Sequence, residues 1–273
     1  MISFSVDTEK CTQCGECVRD CLYSVLGMDE HPYVREGMES KCIGCQHCLA
    51  VCKPGAISVL GKNPGDSLSL KRGVPDPEQM ETLILGRRSI RRYKKEGVDP
   101  ALIRHLLEVV NHAPTAVNQR QTHLTVVDDP ESMDKLRKQT TGGALKAIQE
   151  GRLPEGMERI AYFLENGKEG EDVIFRGAPH LLVASAPEHA LNPMVDCTIA
   201  MSYFELLANS HGLGTVWDGI ARAIMTAIVP EIRTLLGIPE DHIIVNAMAF
   251  GKPAVKYHRA IQPPEENIRC VSL

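Results

Sequence analysis

The strongest constraint on this chain is a run of cysteines that occurs twice. Lys10-Cys11-Thr12-Gln13-Cys14-Gly15-Glu16-Cys17-Val18-Arg19-Asp20-Cys21 recurs 31 residues later as Lys41-Cys42-Ile43-Gly44-Cys45-Gln46-His47-Cys48-Leu49-Ala50-Val51-Cys52. Both copies read C-x2-C-x2-C-x3-C. Three thiolates at that spacing wrap one 4Fe-4S cube from a tight loop, while the fourth, one helical turn further on, ligates the other cube. One cluster then takes Cys11, Cys14, Cys17 and Cys52, and the other takes Cys42, Cys45, Cys48 and Cys21. Structural zinc instead uses C-x2-C pairs separated by a longer loop, and disulfides need an oxidising compartment. The first ten residues carry Asp7 and Glu9 and no apolar run, so no secretory leader is expected and the thiols are expected reduced or metal-bound, in the cytoplasm.

Together with Pro54-Gly55-Ala56-Ile57 after the last cysteine, the repeat resembles the two-cluster bacterial ferredoxins, although Lys53 stands where that family often has proline. A ferredoxin-like domain is expected over residues 1–62, with only short apolar segments such as Ile2–Val6 and Ala56–Leu60 to build a core. So small a core depends on its metal, and the apo form is not expected to fold. Gly61 to Ser67 and Gly73 to Pro77 concentrate chain breakers, which marks residues 63–77 as a linker and leaves 78–273 as a second, larger domain. Residues 1–60 hold five Lys or Arg against eight Asp or Glu, so the small domain is acidic even before clusters add charge.

A hydrophobic content of 43% with 24% charged residues excludes a disordered or fibrous chain. The net charge of −5 supplies no basic field, so nucleic acid is not an expected partner. The longest mostly apolar stretch, Pro193 to Ala208, is interrupted by Asp196 and Glu205 and is too short to cross a bilayer, so no membrane partner is expected either.

The larger domain alternates helical patterns with β-rich runs. Asp99-Pro100 starts a helix whose apolar face is Leu102, Ile103, Leu106, Leu107 and Val110, and Pro114 ends it. Leu124–Val127, Leu181–Ala186 and Ile243–Phe250 read as strands. Pro193–Asn209 is apolar on nearly all sides, which calls for burial inside the domain or against a second subunit. No G-x-G-x-x-G or G-x-x-x-x-G-K-[ST] stands in the chain. A cofactor phosphate needs another grip. Gly86-Arg87-Arg88-Ser89-Ile90-Arg91-Arg92-Tyr93-Lys94-Lys95 offers one, since guanidinium forks and a hydroxyl chelate a phosphate; taken alone it also reads as a solvated charge run or a weak nucleic-acid patch.

That segment is followed in order by Ala113-Pro114-Thr115-Ala116-Val117-Asn118, Gly177-Ala178-Pro179, Gly212-Leu213-Gly214-Thr215-Val216-Trp217, Gly251-Lys252-Pro253, Arg259 and Pro264-Glu265-Glu266. The series resembles the nitroreductase family from near Gln79 to the end. The resemblance implies an FMN-dependent α+β fold, a homodimer, and flavin in a cleft at the subunit interface. By the same resemblance the phosphate positions fall on Arg87, Arg88, Ser89, Arg91 and Arg259, the flavin-contacting asparagine on Asn118, and the ring edge on the loop from Gly214 through Thr215, Val216 and Trp217 to Gly219. Where the family usually shows x-Gln-Pro-Trp after the asparagine, this chain has Gln119, Arg120, Gln121 and Thr122, which puts a positive charge beside the expected flavin.

Other residues carry plain readings. Cys197 and Cys270 are expected to be packing residues or inert thiols. Trp217 is either a cofactor stack or a packing anchor, and His112 and His211 are expected at helix ends. Gly142 to Phe175, with Tyr162 and Phe163, reads as a substrate lid or as a surface helix pair.

The expected whole is a ferredoxin-like two-cluster domain followed by a nitroreductase-like FMN domain. It is expected to act as an iron-sulfur flavoprotein that passes electrons from the clusters to FMN and on to a nitroaromatic, quinone or activated alkene, with no side chain acting as a nucleophile. Reduced ferredoxin or a similar one-electron protein is the expected donor, rather than NAD(P)H. The alternative is a relay or redox sensor that serves a partner protein without turning over a small molecule.

Overall fold

A computed structural model describes residues 2–167, 171–262 and 268–272. The Pro264-Glu265-Glu266 motif lies outside the described residues. The chain divides into two compact units: Met1–Val74 together with Val117–Gln119, and Pro75–Ala116 together with Arg120–Leu273.

The first unit contains β1 (Phe4–Val6), α1 (Glu16–Arg19), β2 (Leu26–Met28), β3 (Pro32–Val34), α2 (His47–Ala50) and β4 (Ile57–Val59). β1 and β4, which lie within the two short apolar segments of the unit, pair antiparallel with Phe4 opposite Val59 and Val6 opposite Ile57. β2 and β3 form a second antiparallel pair. The core is small: Cys17, Leu26, Leu49, Ile57 and Val59 cluster together, with partly buried neighbours that include Cys21, Cys48 and Cys52, and Val25 and Ala56 are buried as well. Cysteines thus form a large part of what this unit packs around, as expected of a fold that leans on its metal.

The second unit contains α3 (Pro77–Gly86), α4 (Pro100–Val110), β5 (His123–Val127), α5 (Pro130–Gln149), α6 (Glu158–Glu165), β6 (His180–Pro187), α7 (Pro193–Ser210), β7 (Gly214–Trp217), α8 (Gly219–Ala223), α9 (Glu231–Leu235) and β8 (His242–Gly251). A π-helical turn, Ile224–Ile228, follows α8. Asp76, Asp99 and Asp129 each precede a proline at the first helical turn, and each side chain accepts hydrogen bonds from that turn.

The strands form one antiparallel sheet in the order β5-β6-β8-β7. Side chains alternate across it as the pleat requires. Leu182, Ala184, Met248 and Phe250 face α4 and α7, packing against Leu106, Met201 and Phe204. Leu181, Val183, Ala247 and Ala249 face the other way, toward Met133, Leu136, Ile224 and Ile232. The sheet is therefore covered on both faces, and β6 is buried along its whole length.

Two expectations change. Gly214–Trp217 is an edge strand and not a loop, paired with β8 from Gly214 opposite Gly251 to Trp217 opposite Met248. The Gly142–Phe175 stretch holds the end of α5 and all of α6, so of its two readings the helix pair is the one present. Phe175 is fully buried in the core, while Tyr162 is exposed.

α7 buries the stripe Asp196, Cys197, Ala200, Met201, Phe204, Glu205 and Ala208, at helical spacing. Its other side leaves Met194, Val195 and Tyr203 about half exposed. Burial pushes the Cys197 thiol up to about 11, as suits an inert packing residue.

Candidate functional site

The cysteine repeat is also a repeat of backbone shape. Left-handed residues stand at Gln13, Gly15 and Ser24 in the first copy and at Gly44, Gln46 and Gly55 in the second, each pair with the repeat's spacing. Local hydrogen bonds repeat too: Arg19 N–H to Gly15 O and Ala50 N–H to Gln46 O are both 3.0 Å, and Cys21 N–H to Val18 O and Cys52 N–H to Leu49 O are both 3.3 Å. Alternating right- and left-handed residues turn successive amides inward, the concave arrangement that receives anionic groups.

Cysteines of the two copies come together. Burial raises the Cys17 thiol, and the nearby charges of Cys52 and Cys14 add to that rise. Burial pushes Cys48 up to about 11, and the charges it feels are those of Cys45, Cys21 and Cys42. Each copy's last cysteine therefore lies with the other copy's first three. Cys11, Cys14, Cys17 and Cys52 line one cavity, closed by Met28, Pro32, Pro54 and Ile57. The Ala56 amide donates to Cys52 Sγ at 3.2 Å, a contact of the kind that tunes a cluster's potential. Among the described residues no group of three or more His, Cys, Asp or Glu is arranged to hold a single metal ion. A 4Fe-4S cube, with one thiolate at each of four corners, needs a wider cage than a single zinc does.

In the second unit, the basic segment and β7 meet. Ser89 forms a parallel bridge with Thr215, and the Ile90 amide donates to the Thr215 carbonyl at 2.8 Å. At the segment's other end Tyr93 bridges Pro253, with Lys94 N–H bonded to Lys252 O at 2.9 Å. The Tyr93 hydroxyl donates to the Ala249 carbonyl at 3.2 Å. The run Ser89–Tyr93 is thus pinned at both ends against the sheet. This close approach explains one motif glycine, since a Cβ on Gly214 would stand 2.5 Å from Ile90 Cγ1; a second, Gly251, is crowded instead by Pro179, whose Cδ would lie 2.5 Å from an added Cβ.

Arg87, Arg88 and Ser89 are half-buried and Arg91 is exposed. Arg87 Nη1 donates to Glu205 Oε1 at 3.0 Å, and the same carboxylate takes the Trp217 Nε1 proton on Oε2 at 3.1 Å. Arg259 is exposed. Asn118 belongs to the first unit, where its Nδ2 donates to the Ile43 carbonyl at 2.8 Å, one residue beyond Cys42.

Asp218 was not singled out from the sequence. It is 5% exposed and caps α8 by accepting the Ala221 amide at 2.8 Å on Oδ1, while Oδ2 is buried without a partner. Burial pushes its carboxyl up to about 7, with the charge of Asp172 adding to the rise. The Tyr93 hydroxyl is also raised, by burial and then by the charge of Asp218. A cavity of about 460 Å3 lies between α4, β5 and α7, with Thr115, Arg120, Thr122 and Asp196 on its polar side. Arg120 adopts a left-handed backbone (φ 53°), and its amide is held by Thr115 Oγ1 at 2.9 Å.

Comparison with known proteins bears on both units. Residues 84–252 match the nitroreductase family, and residues 10–57 match a 4Fe-4S dicluster domain. An NADH dehydrogenase of Thermus thermophilus is 28% identical over 198 residues, covering 69% of this chain and 93% of that protein. An NAD(P)H-dependent FMN reductase of Bacillus subtilis is 26% identical over 185 residues, covering 66% of this chain and 68% of that protein. A nitroreductase of Bacteroides fragilis, crystallised with FMN, superposes with a TM-score of 0.59 at 22% identity, over 71% of this chain and 99% of its own. That last likeness is one of fold.

Proposed function

Taking as premise that the chain belongs to the nitroreductase family and carries a 4Fe-4S dicluster domain before it, we propose that it is an iron-sulfur flavoprotein that reduces an electron-poor organic acceptor. When bound, the clusters carry electrons singly and FMN gathers two of them for a nitroaromatic, quinone or activated alkene. The observation that carries this reading is the pairing of Ser89 with Thr215, which joins the phosphate-type segment to the strand expected at the ring edge.

Each part of the chain has a task in this reading. Cys11, Cys14, Cys17 and Cys52 hold one cluster, and Cys42, Cys45, Cys48 and Cys21 the other. Arg88, Ser89, Arg91 and Arg259 supply charge and a hydroxyl to the phosphate, with Arg87 at their base. The backbone from Gly214 through Thr215, Val216 and Trp217 faces the ring, and Asn118 contacts it. No side chain is assigned as a nucleophile; the protein contributes positioning and electrostatics.

The chain works as a homodimer in this proposal, supported by the exposed Met194, Val195 and Tyr203 on α7 and by Ile84 and Leu85 on α3. The donor is reduced ferredoxin or another one-electron protein. The test is anaerobic reconstitution with iron, sulfide and flavin analysis, then reduction by NADH, NADPH and reduced ferredoxin in parallel. About eight iron and one FMN per chain, with fast flavin reduction by ferredoxin, are expected. Flavin reduction by NADH alone at the turnover rate would defeat the donor assignment. Failure of nitro compounds and quinones to reoxidise the reduced protein would leave a relay to a partner protein in place of an enzyme.

A further inference from the structure

Glu205 lies in the middle of α7 and is only 7% exposed. A buried carboxylate is costly unless its oxygens are bonded. Here both are. Oε1 accepts from Arg87 Nη1 at 3.0 Å and from Thr215 Oγ1 at 3.4 Å, and Oε2 accepts from Trp217 Nε1 at 3.1 Å. Asn209, one turn further along α7, donates to the Glu205 carbonyl at 2.8 Å and to Thr215 Oγ1 at 3.3 Å, so Thr215 is held from two sides.

The donors belong to the two stretches that the flavin reading relies on. Arg87 opens the basic segment, whereas Thr215 and Trp217 lie in β7. Their backbones meet at Ser89, Ile90 and Thr215, and the Glu205 side chain ties them further. A negative charge beside a phosphate site weakens that site's attraction for phosphate, so Coulomb's law supplies no reason for a carboxylate here. Geometry does, because one rigid acceptor fixes an arginine, a hydroxyl and an indole together.

We propose that Glu205 is a positioning residue of the flavin site: it sets the basic segment against β7, and by pairing with Arg87 it leaves the phosphate charge to Arg88, Arg91 and Arg259. This deepens the flavin reading and rests on it. Arg87 is then a strut and not the principal phosphate ligand.

The chain has one tryptophan, Trp217, so its emission reports on this carboxylate directly. The test uses the full-length holoprotein with Glu205→Gln, Glu205→Leu, Arg87→Gln and the Glu205→Gln/Arg87→Gln pair, at wild-type iron content and circular dichroism. Both Glu205 variants are expected to shift Trp217 emission and to weaken FMN binding about tenfold or more. Arg87→Gln should weaken binding comparably, and the double variant should be no worse than either single, since all remove one tie. The inference is overturned if Glu205→Leu keeps wild-type emission and affinity, which would reduce the residue to packing, or if the double variant's losses simply multiply. Should Glu205 variants fold poorly, Arg87→Gln decides alone, and unchanged FMN affinity with unchanged emission overturns the inference. A wild-type protein that takes up no FMN while its variants still shift the emission defeats the flavin reading and leaves the tie intact.

Discussion

Ser89 and Thr215 lie side by side although they are far apart in sequence, and the Ile90 amide closes the contact on the Thr215 carbonyl at 2.8 Å. The approach leaves no room for a side chain at Gly214, whose added Cβ would fall 2.5 Å from Ile90 Cγ1 and 2.9 Å from Ile90 Cβ. Ile90 is 6% exposed and branched at Cβ, so it has no free rotamer to swing away. Gly214→Ala is therefore expected to destabilise the second unit by about 1–3 kcal/mol and to weaken FMN binding. Thermal melts and flavin titration check this, and a variant with wild-type values for both would remove the reason given for the glycine.

The crossed cluster assignment has a sharp consequence. In the proposed assignment Cys17 and Cys52, from different sequence copies, serve one cluster, so Cys17→Ser together with Cys52→Ser should remove about four iron and leave about four. If each copy held its own cluster, that pair would damage both. Iron and sulfide analysis, with the cluster spectrum of the remaining centre, separates the two cases.

Asp218 makes stability depend on pH in a definite direction. Its carboxyl keeps its proton up to about 7 in the native state against an ordinary value of 3.8, so between these limits the native state binds more protons than the unfolded one. Stability is thus fully present below the lower value and is lost as pH rises through the upper one. Asp218→Asn keeps the cap on α8, because asparagine caps as well as aspartate, and removes the buried charge. Its melting temperature relative to wild type should climb by several degrees between about pH 5 and pH 8, at roughly 2–4 °C per kcal/mol for a domain of this size. A flat difference across that range would mean the carboxyl titrates normally.

The exposed side of α7 tests the assembly. Val195 is 48% exposed and Tyr203 is 47% exposed on one long helix. In the proposed homodimer this face is the interface, so Val195→Asp with Tyr203→Asp should give a monomer by light scattering while iron content stays unchanged, and a dimer that persists would place the interface elsewhere.

Arg120 stands where the family usually has glutamine. If it lies near the flavin, its charge favours the reduced, anionic ring, and Arg120→Gln should shift the flavin potential negative by tens of mV, with about 30 mV corresponding to 1.4 kcal/mol for a two-electron couple. No negative shift on anaerobic titration would remove Arg120 from the ring's surroundings.

Much of this molecule could be read from sequence where a local pattern meets a single physical cause. The cysteine repeat was legible because cluster ligation needs that spacing, and the left-handed pairs Gly15/Gln46 and Gln13/Gly44 show the backbone obeying it even where only one partner is glycine. Leu181–Ala186 and Ile243–Phe250 were legible as strands because both faces of the sheet are covered. β7 escaped because its two leading residues are a glycine and a threonine whose burial depends on Ile90, a neighbour that sequence distance hides. Helices α3 and α5 begin with the same Asp-Pro signal as α4, at Asp76 and Asp129, so that signal was present in the chain and unused. Glu205 registered only as an interruption in an apolar run; its three donors come from two other segments, and nothing local to α7 points to them.

The central claim is that iron-sulfur centres and flavin on one chain exchange electrons. Its most direct test is anaerobic mixing of the holoprotein with a sub-stoichiometric amount of reduced ferredoxin, following cluster and flavin absorbance together. The account predicts that the clusters are reduced first, and that they reoxidise as the flavin bleaches in one shared first-order phase whose rate does not change with protein concentration. Clusters that stay reduced beside an oxidised flavin, or a bleaching rate that scales with protein concentration, would contradict it.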